Sequence, residues 1–326
     1  MHERHSIRVM AGRVMAGLGS PSRPVRTGAT TARALLEWGQ RRLLATGLVE
    51  NATEARQEAQ TLLCHVMRVD RSALYLGLND TVEPSLAATY LAELSRRVAG
   101  EPVAYIVGER EFYGLSFFVD SRVLIPRPET ELLVELVLER VKTVQNPRIV
   151  DVGCGSGCIA VAVAVHREDA LVYATDASEG ALEVARLNAA RHQVSQRVRF
   201  LHGDLLAPLP EPVDVVAANL PYVNQADLSA LPVSIREYEP RLALDGGTDG
   251  LGVIRRLFDQ AAGYLRGGGC LLVEIAYDQA EAATRMAGCF FPTAQVRTHA
   301  DLGGVQRVVE VSLPPVGPGD SGSTIG

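Results

Sequence analysis

The sequence predicts an α/β protein: a mostly parallel sheet covered by helices, preceded by a small helical domain and a linking β-hairpin. Three observations carry this expectation. Residues 30–100 are patterned as helix, strand-like runs alternate with helical ones from residue 121, and 326 residues with 47% hydrophobic and 21% charged side chains can bury two cores. Alternation of this kind means parallel strands joined by crossover helices, and a chain of this length exceeds one small domain.

Each element has a local reason. Leu35, Leu36, Leu43 and Leu44 recur at helical spacing until Gly47 supplies a stop. Asn51 with Glu54 three residues on reads as a capping box, followed by the apolar stripe Ala55, Ala59, Leu62, Leu63 and Val66. Pro84 suits a first helical position, and Leu86, Tyr90, Leu91, Leu94 and Val98 keep the period until Gly100. Trp38, the single tryptophan, is expected to pack on the first helix. Residues 103–119 are β-formers around Gly108 and Gly114, predicting a hairpin within a linker spanning 101–120. In the main domain, 121–313, strands are predicted at 148–151, 171–176, 197–201, 213–218, 270–275 and 305–311.

Composition narrows the function. A net charge of −6 argues against binding driven mainly by neutralising nucleic-acid phosphates. No run approaches 18 apolar residues, so no membrane span is expected. The five cysteines show no paired C-x-x-C spacing, which suits a reducing compartment, and a cytoplasmic monomer is expected. Cys154 and Cys158 lack two further ligands for zinc, and none of the seven histidines has a ligand or triad setting, so no metal is expected. Residues 1–29 carry Arg4, Arg8, Arg13, Arg23 and Arg26 in a leader-like pattern, but Met10 and Met15 inside them suit a loose tail or an over-long start. Residues 314–326 are rich in Pro, Gly and Ser and read as a disordered tail.

The chemistry begins at Asp151-Val152-Gly153-Cys154-Gly155-Ser156-Gly157, where a buried strand turns into an apolar helix. The glycines are spaced G-x-G-x-G, not the G-x-G-x-x-G of a dinucleotide site, and they let a ligand approach the backbone. A turn built only to pack helix on strand is the competing explanation. Nineteen residues after Gly157, at the end of the next strand, Asp176 can accept both hydroxyls of a ribose. Each such charge-assisted bond contributes about 1.5–3 kcal/mol. Gly203-Asp204-Leu205 follows the third strand, and Asp204 by itself could be an ordinary turn aspartate.

The D-x-G-x-G-x-G pattern resembles the first motif of class I S-adenosylmethionine methyltransferases. That resemblance implies a Rossmann-like, mostly parallel seven-stranded sheet and S-adenosylmethionine as cofactor. It implies that Asp151, Gly153, Cys154, Gly155, Ser156 and Gly157 meet the methionine and ribose portion, Asp176 the ribose, and Asp204 and Leu205 the adenine.

After the apolar fourth strand comes Asn219-Leu220-Pro221-Tyr222, at the strand end where reacting groups collect in an open α/β sheet. An amide or aromatic-amine nitrogen is a poor nucleophile because its lone pair is delocalised. The Asn219 side-chain carbonyl and the Leu220 main-chain carbonyl can accept its two N–H hydrogens and favour the pyramidal nitrogen that develops during transfer. Pro221 holds Leu220 extended, and Tyr222 offers a flat face for a planar substrate. These four residues are therefore the expected catalytic and substrate-binding set, with Asn219 also beside the cofactor.

Asn219 to Tyr222 resembles the N-P-P-Y motif of exocyclic-amine and protein-glutamine methylases, except that Leu220 stands where proline is usual. Residues 108–114, Gly-Glu-Arg-Glu-Phe-Tyr-Gly, and 124–131, Leu-Ile-Pro-Arg-Pro-Glu-Thr-Glu, resemble the linker signature of the HemK/PrmC family, the peptide chain release factor glutamine methyltransferases. Over roughly residues 30–311 the resemblance implies methylation of the glutamine side-chain nitrogen in the Gly-Gly-Gln loop of release factors, a helical domain that grips the release factor, and Arg127 near the substrate. A structural reading of this segment also stands, because Pro128, Glu129 and Glu131 suit the first turn of a helix. Glu274, inside the apolar strand 271–275, is expensive to bury unless it has a partner at a site. The runner-up functions are a nucleic-acid amine methyltransferase, which should show a basic groove, a silent binding protein that keeps the fold, and a nicotinamide-dependent dehydrogenase, which the glycine spacing disfavours.

Overall fold

A computed structural model of the chain describes residues 30–315, so the expected N-terminal tail and residues 316–326 of the expected C-terminal one lie outside the described residues. The first body is helical, with β1 (Thr30–Thr31), α1 (Ala32–Leu44), α2 (Ala52–Met67), α3 (Arg71–Leu76), β2 (Thr81–Val82) and α4 (Pro84–Val98). Asn51 caps α2 by accepting the Thr53 and Glu54 N–H groups at 3.0 Å. Glu54 reaches back at 2.6 Å to the N–H of Glu50, one residue earlier than a capping box requires. Leu35, Leu62, Leu63, Tyr90 and Leu94 close the core, with Trp38 packed against it. The buried Arg97 pins α4 to α2 through Glu58 at 2.8 Å.

The linker differs from the expected hairpin at its start: residues 103–107 form α5 (Val103–Val107), and pairing begins only with β3 (Glu109–Phe112) and β4 (Leu115–Phe118). Packing overrides the β-forming composition here. The helical turn opened by Pro102 sends Ile106 into the helical core and Tyr105 into the cluster formed by Val119, Val123 and Ile125, and Gly108 ends it.

The second body contains α6 (Glu131–Arg140), β5 (Arg148–Val152), α7 (Cys158–His166), β6 (Leu171–Asp176), α8 (Glu179–Arg191), β7 (Val198–His202), β8 (Val213–Ala218), α9 (Val233–Arg236), α10 (Gly252–Ala261), β9 (Leu265–Glu274), α11 (Ala280–Phe290), β10 (Gln295–Ala300) and β11 (Gln306–Ser312). Seven strands form one sheet in the order β10-β11-β9-β8-β5-β6-β7. The run from β9 to β7 is parallel, and β11 is antiparallel to both β9 and β10. Strand β10 is absent from the expected set because Gln295, Arg297, Thr298 and Ala300 are exposed: an edge strand has no apolar run to announce it.

Helices cover both faces. Val134, Val161 and Leu182 pack on one side of the sheet, and Ile254, Phe258 and Ala283 on the other. From β5 the chain steps outward through β6 and β7, then returns to lay β8 along the opposite edge of β5, so Val152 faces Ala218. That reversal is where open α/β sheets form their crevices.

The fully buried Asn188 of α8 ties this sheet to the hairpin. Its Oδ1 accepts the Phe118 N–H at 2.8 Å, and its Nδ2 donates to the Phe118 and Ser156 carbonyls at 3.0 and 2.9 Å. Asn188→Ala leaves all three backbone groups without their partner and should cost on the order of 3 kcal/mol, read as a lowered midpoint in urea unfolding.

Candidate active site

At the carboxyl ends of β5, β6 and β8 lies a cavity of ≈ 270 Å³. Gly153, Cys154, Gly155 and Ser156 form one wall, Asp176, Asp204 and Leu205 another, and Asn219, Leu220, Pro221 and Arg127 complete it. Three of the residues expected here stand back from the wall. Asp151 is fully buried behind the turn, where its Oδ2 accepts the Ala160 N–H at 3.0 Å. Gly157 serves packing: with φ +77° it starts α7, and a Cβ there would stand 2.9 Å from that of Ala185. Tyr222 lies just beyond the wall.

The turn and Asp176 are one unit. Asp176 Oδ2 accepts the Gly155 N–H at 2.9 Å and Oδ1 the Ser178 N–H at 2.8 Å, which leaves each oxygen further lone pairs toward the cavity. No atom lies within 4 Å of the place a Gly155 side chain would take, so the wall is open to a ligand there. Burial pushes the Asp176 carboxyl up, against the two N–H bonds that favour its ionised form. Farther along, Asp204 pairs with Arg256 of α10, beside the apolar Leu205 and Val253. A nucleoside fits this order of groups: a carboxylate for ribose hydroxyls, then an apolar slot edged by an acid. Cys154 and Cys158 are buried, and burial holds both thiols protonated, Cys158 pushed up to about 12. Among the described residues, no group of three or more His, Cys, Asp or Glu side chains is placed to hold a metal ion.

At the other end, Asn219 Nδ2 donates to Thr130 Oγ1 at 2.9 Å, so its Oδ1 is the atom left to accept a hydrogen bond. Leu220 is 3% exposed and joins the apolar layer under β8. Arg127 is held at the rim by the buried Glu239, 2.5 Å away, which also accepts the Ile125 N–H. The Arg127 segment thus has a structural anchor as well as a place in the wall.

Behind Tyr222 runs a loop that sequence reasoning passes over. Val223 bridges Asp245, the Gly246 N–H bonds the Val223 carbonyl at 2.9 Å, and Gln279 donates to the Tyr222 carbonyl at 3.0 Å. A Cβ at Gly250, where φ is +70°, would come within 2.5 Å of that same carbonyl. Gly246, Gly247 and Gly250 within five residues were the available signal of close backbone approach. Arg256 and Glu239 gave none, since each looks like an ordinary solvated charge until the fold supplies its partner.

Two family models match the chain, one described as the PrmC N-terminal domain over residues 34–108 and one as the methyltransferase small domain over residues 128–237. A release factor glutamine methyltransferase of Moorella thermoacetica is 43% identical over 258 residues, covering 79% of this chain and 89% of that protein. One of Geobacter sulfurreducens is 41% identical over 286 residues, covering 86% and 95%. Among solved structures, the hMettl16 catalytic domain in complex with MAT2A 3'UTR hairpin 6 matches with TM-score 0.51 at 14% identity, over 68% of this chain and 81% of that one, a likeness of fold alone.

The buried Asp151 sets a pH dependence. Burial pushes its carboxyl from 3.8 up to about 7, opposed by the Ala160 N–H bond and aided by the charge of Asp176. The folded chain therefore holds this proton more tightly than the unfolded chain. The group's contribution to stability is most favourable below the unfolded value and declines as pH rises through about 7. In thermal unfolding between pH 5 and 8, Asp151→Asn should show a flatter decline than the parent, by an amount on the order of a few kcal/mol.

Proposed function

The chain belongs to the family of release factor glutamine methyltransferases, and from that premise we propose that it methylates the side-chain amide nitrogen of the glutamine in the Gly-Gly-Gln loop of a release factor. When bound, S-adenosylmethionine supplies an electrophilic methyl group on a sulfonium, and the products are N5-methylglutamine and S-adenosylhomocysteine. The observation that carries the reading is the orientation of Asn219, whose amide nitrogen is engaged by Thr130 and whose oxygen is free at the cavity wall.

The chain's own residues divide the work. Asp176 accepts the ribose hydroxyls, Asp204 and Leu205 edge the adenine, and the glycine turn faces the methionine portion. Asn219 Oδ1 and the Leu220 carbonyl accept the two N–H hydrogens of the substrate amide. Withdrawing those hydrogens from the amide plane favours the tetrahedral, positively charged nitrogen over the delocalised ground state, so the acceptors bind the transition state better than the substrate. The nitrogen can lose a proton after transfer, and no strong base is required. The same acceptors would serve a nucleic-acid amine, but the relatives act on glutamine, and the net charge of −6 offers no electrostatic footing for a polyanion.

We assign the helical body, residues 30–100, to recognition of the release factor, and the enzyme to the cytoplasm as a monomer. All five cysteines are free, and no helix among the described residues is long and apolar enough to cross a membrane.

Incubation with labelled S-adenosylmethionine and a release factor should place one methyl group on the Gly-Gly-Gln glutamine, located by mass spectrometry. Undiminished labelling of a release factor lacking that glutamine would refute the assignment. Asn219→Ala should lower kcat roughly a hundredfold, about 3 kcal/mol of lost transition-state stabilisation, while calorimetry shows retained cofactor binding.

A further inference from the structure

Arg122, Arg127 and Arg256 stand in the cavity wall, although the cofactor of the proposed reaction is itself a cation at sulfur. Arginine keeps its positive charge in proteins, so an uncompensated guanidinium here would repel that sulfonium. Each has a carboxylate partner: Arg122 bonds Asp120 at 2.6 Å, Arg256 bonds Asp204, and Arg127 bonds Glu239 at 2.5 Å. The three pairs are not equivalent. The side chains of Asp120 and Asp204 are 32% and 52% exposed, so water screens them, whereas that of Glu239 is 1% exposed.

Arg127 is also the arginine tied to the acceptor end. Its carbonyl accepts the Thr130 N–H at 3.1 Å, and Thr130 Oγ1 accepts the Asn219 Nδ2–H at 2.9 Å. Glu239 reaches Arg127 from behind the wall: it precedes Pro240, which lines the cavity, and is not itself a lining residue. It also accepts the Ile125 N–H at 3.3 Å through its second oxygen, so the carboxylate is fixed between the linker and the loop that follows the tetrapeptide. Burial pushes this carboxyl up, against the adjacent guanidinium and the two hydrogen bonds.

We propose that Glu239 is a positioning residue that holds Arg127 in the wall and cancels its charge, so that the site discriminates S-adenosylmethionine from S-adenosylhomocysteine. The two molecules differ by one methyl group and the positive charge on sulfur. Contacts to their shared adenosine and amino-acid parts cancel in the ratio of affinities, and what remains includes the field at the sulfur. Paired with Glu239, Arg127 offers N–H donors without a net positive field. Unpaired, a guanidinium in a partly desolvated wall works against the cationic cofactor and spares the neutral product. Turnover needs the cofactor to replace that product, and the pair favours the exchange.

The inference rests on the cofactor reading above, and binding measurements separate the two. In calorimetric titrations with each ligand at about pH 8, where a carboxylate is ionised, Glu239→Gln should weaken S-adenosylmethionine about tenfold more than S-adenosylhomocysteine. Removing the cation as well, in Glu239→Gln combined with Arg127→Met, should return the ratio to within about threefold of the parent's. Arg127→Met alone leaves an unpaired carboxylate and should shift the ratio the other way. A purely structural role would weaken both ligands alike, so an unchanged ratio in Glu239→Gln, or a double variant that keeps the defect, would overturn the proposal. Should Glu239→Gln fail to fold, Arg127→Met decides, and an unchanged ratio there overturns it. If the parent protein binds neither ligand, the cofactor reading falls instead.

Discussion

The site depends on one pairing. Val152 and Ala218 face each other across parallel strands, so the residues that follow them leave the sheet together, one strand into the glycine turn and the other into Asn219. Because both strands are parallel and buried on both faces, a slip in register would expose apolar side chains on each, and the hydrophobic layers oppose it. The distance between donor pocket and acceptor turn is therefore set by the core. The loops have only to decorate an edge whose geometry is already fixed.

Around that edge the fold gathers carboxyl groups that burial pushes upward: Asp151 behind the turn, Asp176 in the wall and Glu274 at the end of β9. None of the three pairs directly with a cation, and two of them are balanced by backbone hydrogen bonds. Asp151 takes one backbone N–H and Asp176 takes two. Such bonds satisfy an oxygen while leaving negative potential in place. Of the three only Asp176 lines the cavity, where its remaining lone pairs suit hydroxyl donors of a ligand.

How much of this was legible in the sequence follows from the range of the contacts involved. Strands β6 and β8 have the bounds their apolar runs suggest, because burial on both faces leaves few polar positions inside them. The glycine turn and Asp176 were readable because their spacing is local to one strand-turn-helix-strand unit. By contrast β10 has no apolar run, α5 defeats its own β-forming composition, and Glu54 caps a neighbour one residue from the expected one. The pairings that finish the site join residues far apart in the chain: Thr130 with Asn219, Arg127 with Glu239, Asp204 with Arg256. No periodicity encodes those. Glu274 marked itself as anomalous in the sequence, because a charged side chain stands inside an apolar strand.

Leu220 gives the tetrapeptide a root. Proline at this position would have stiffened the turn through its own ring, whereas here the side chain is sunk in the apolar layer that also holds Leu205, Leu251 and Ile254. Rigidity that a ring would supply covalently is thus borrowed from neighbours, and it lasts only as long as they stay close-packed. Warming or a distant cavity-forming substitution that softens this layer will blur the aim of the Leu220 carbonyl before the molecule melts, so catalytic output becomes a sensitive gauge of how solid the interior is.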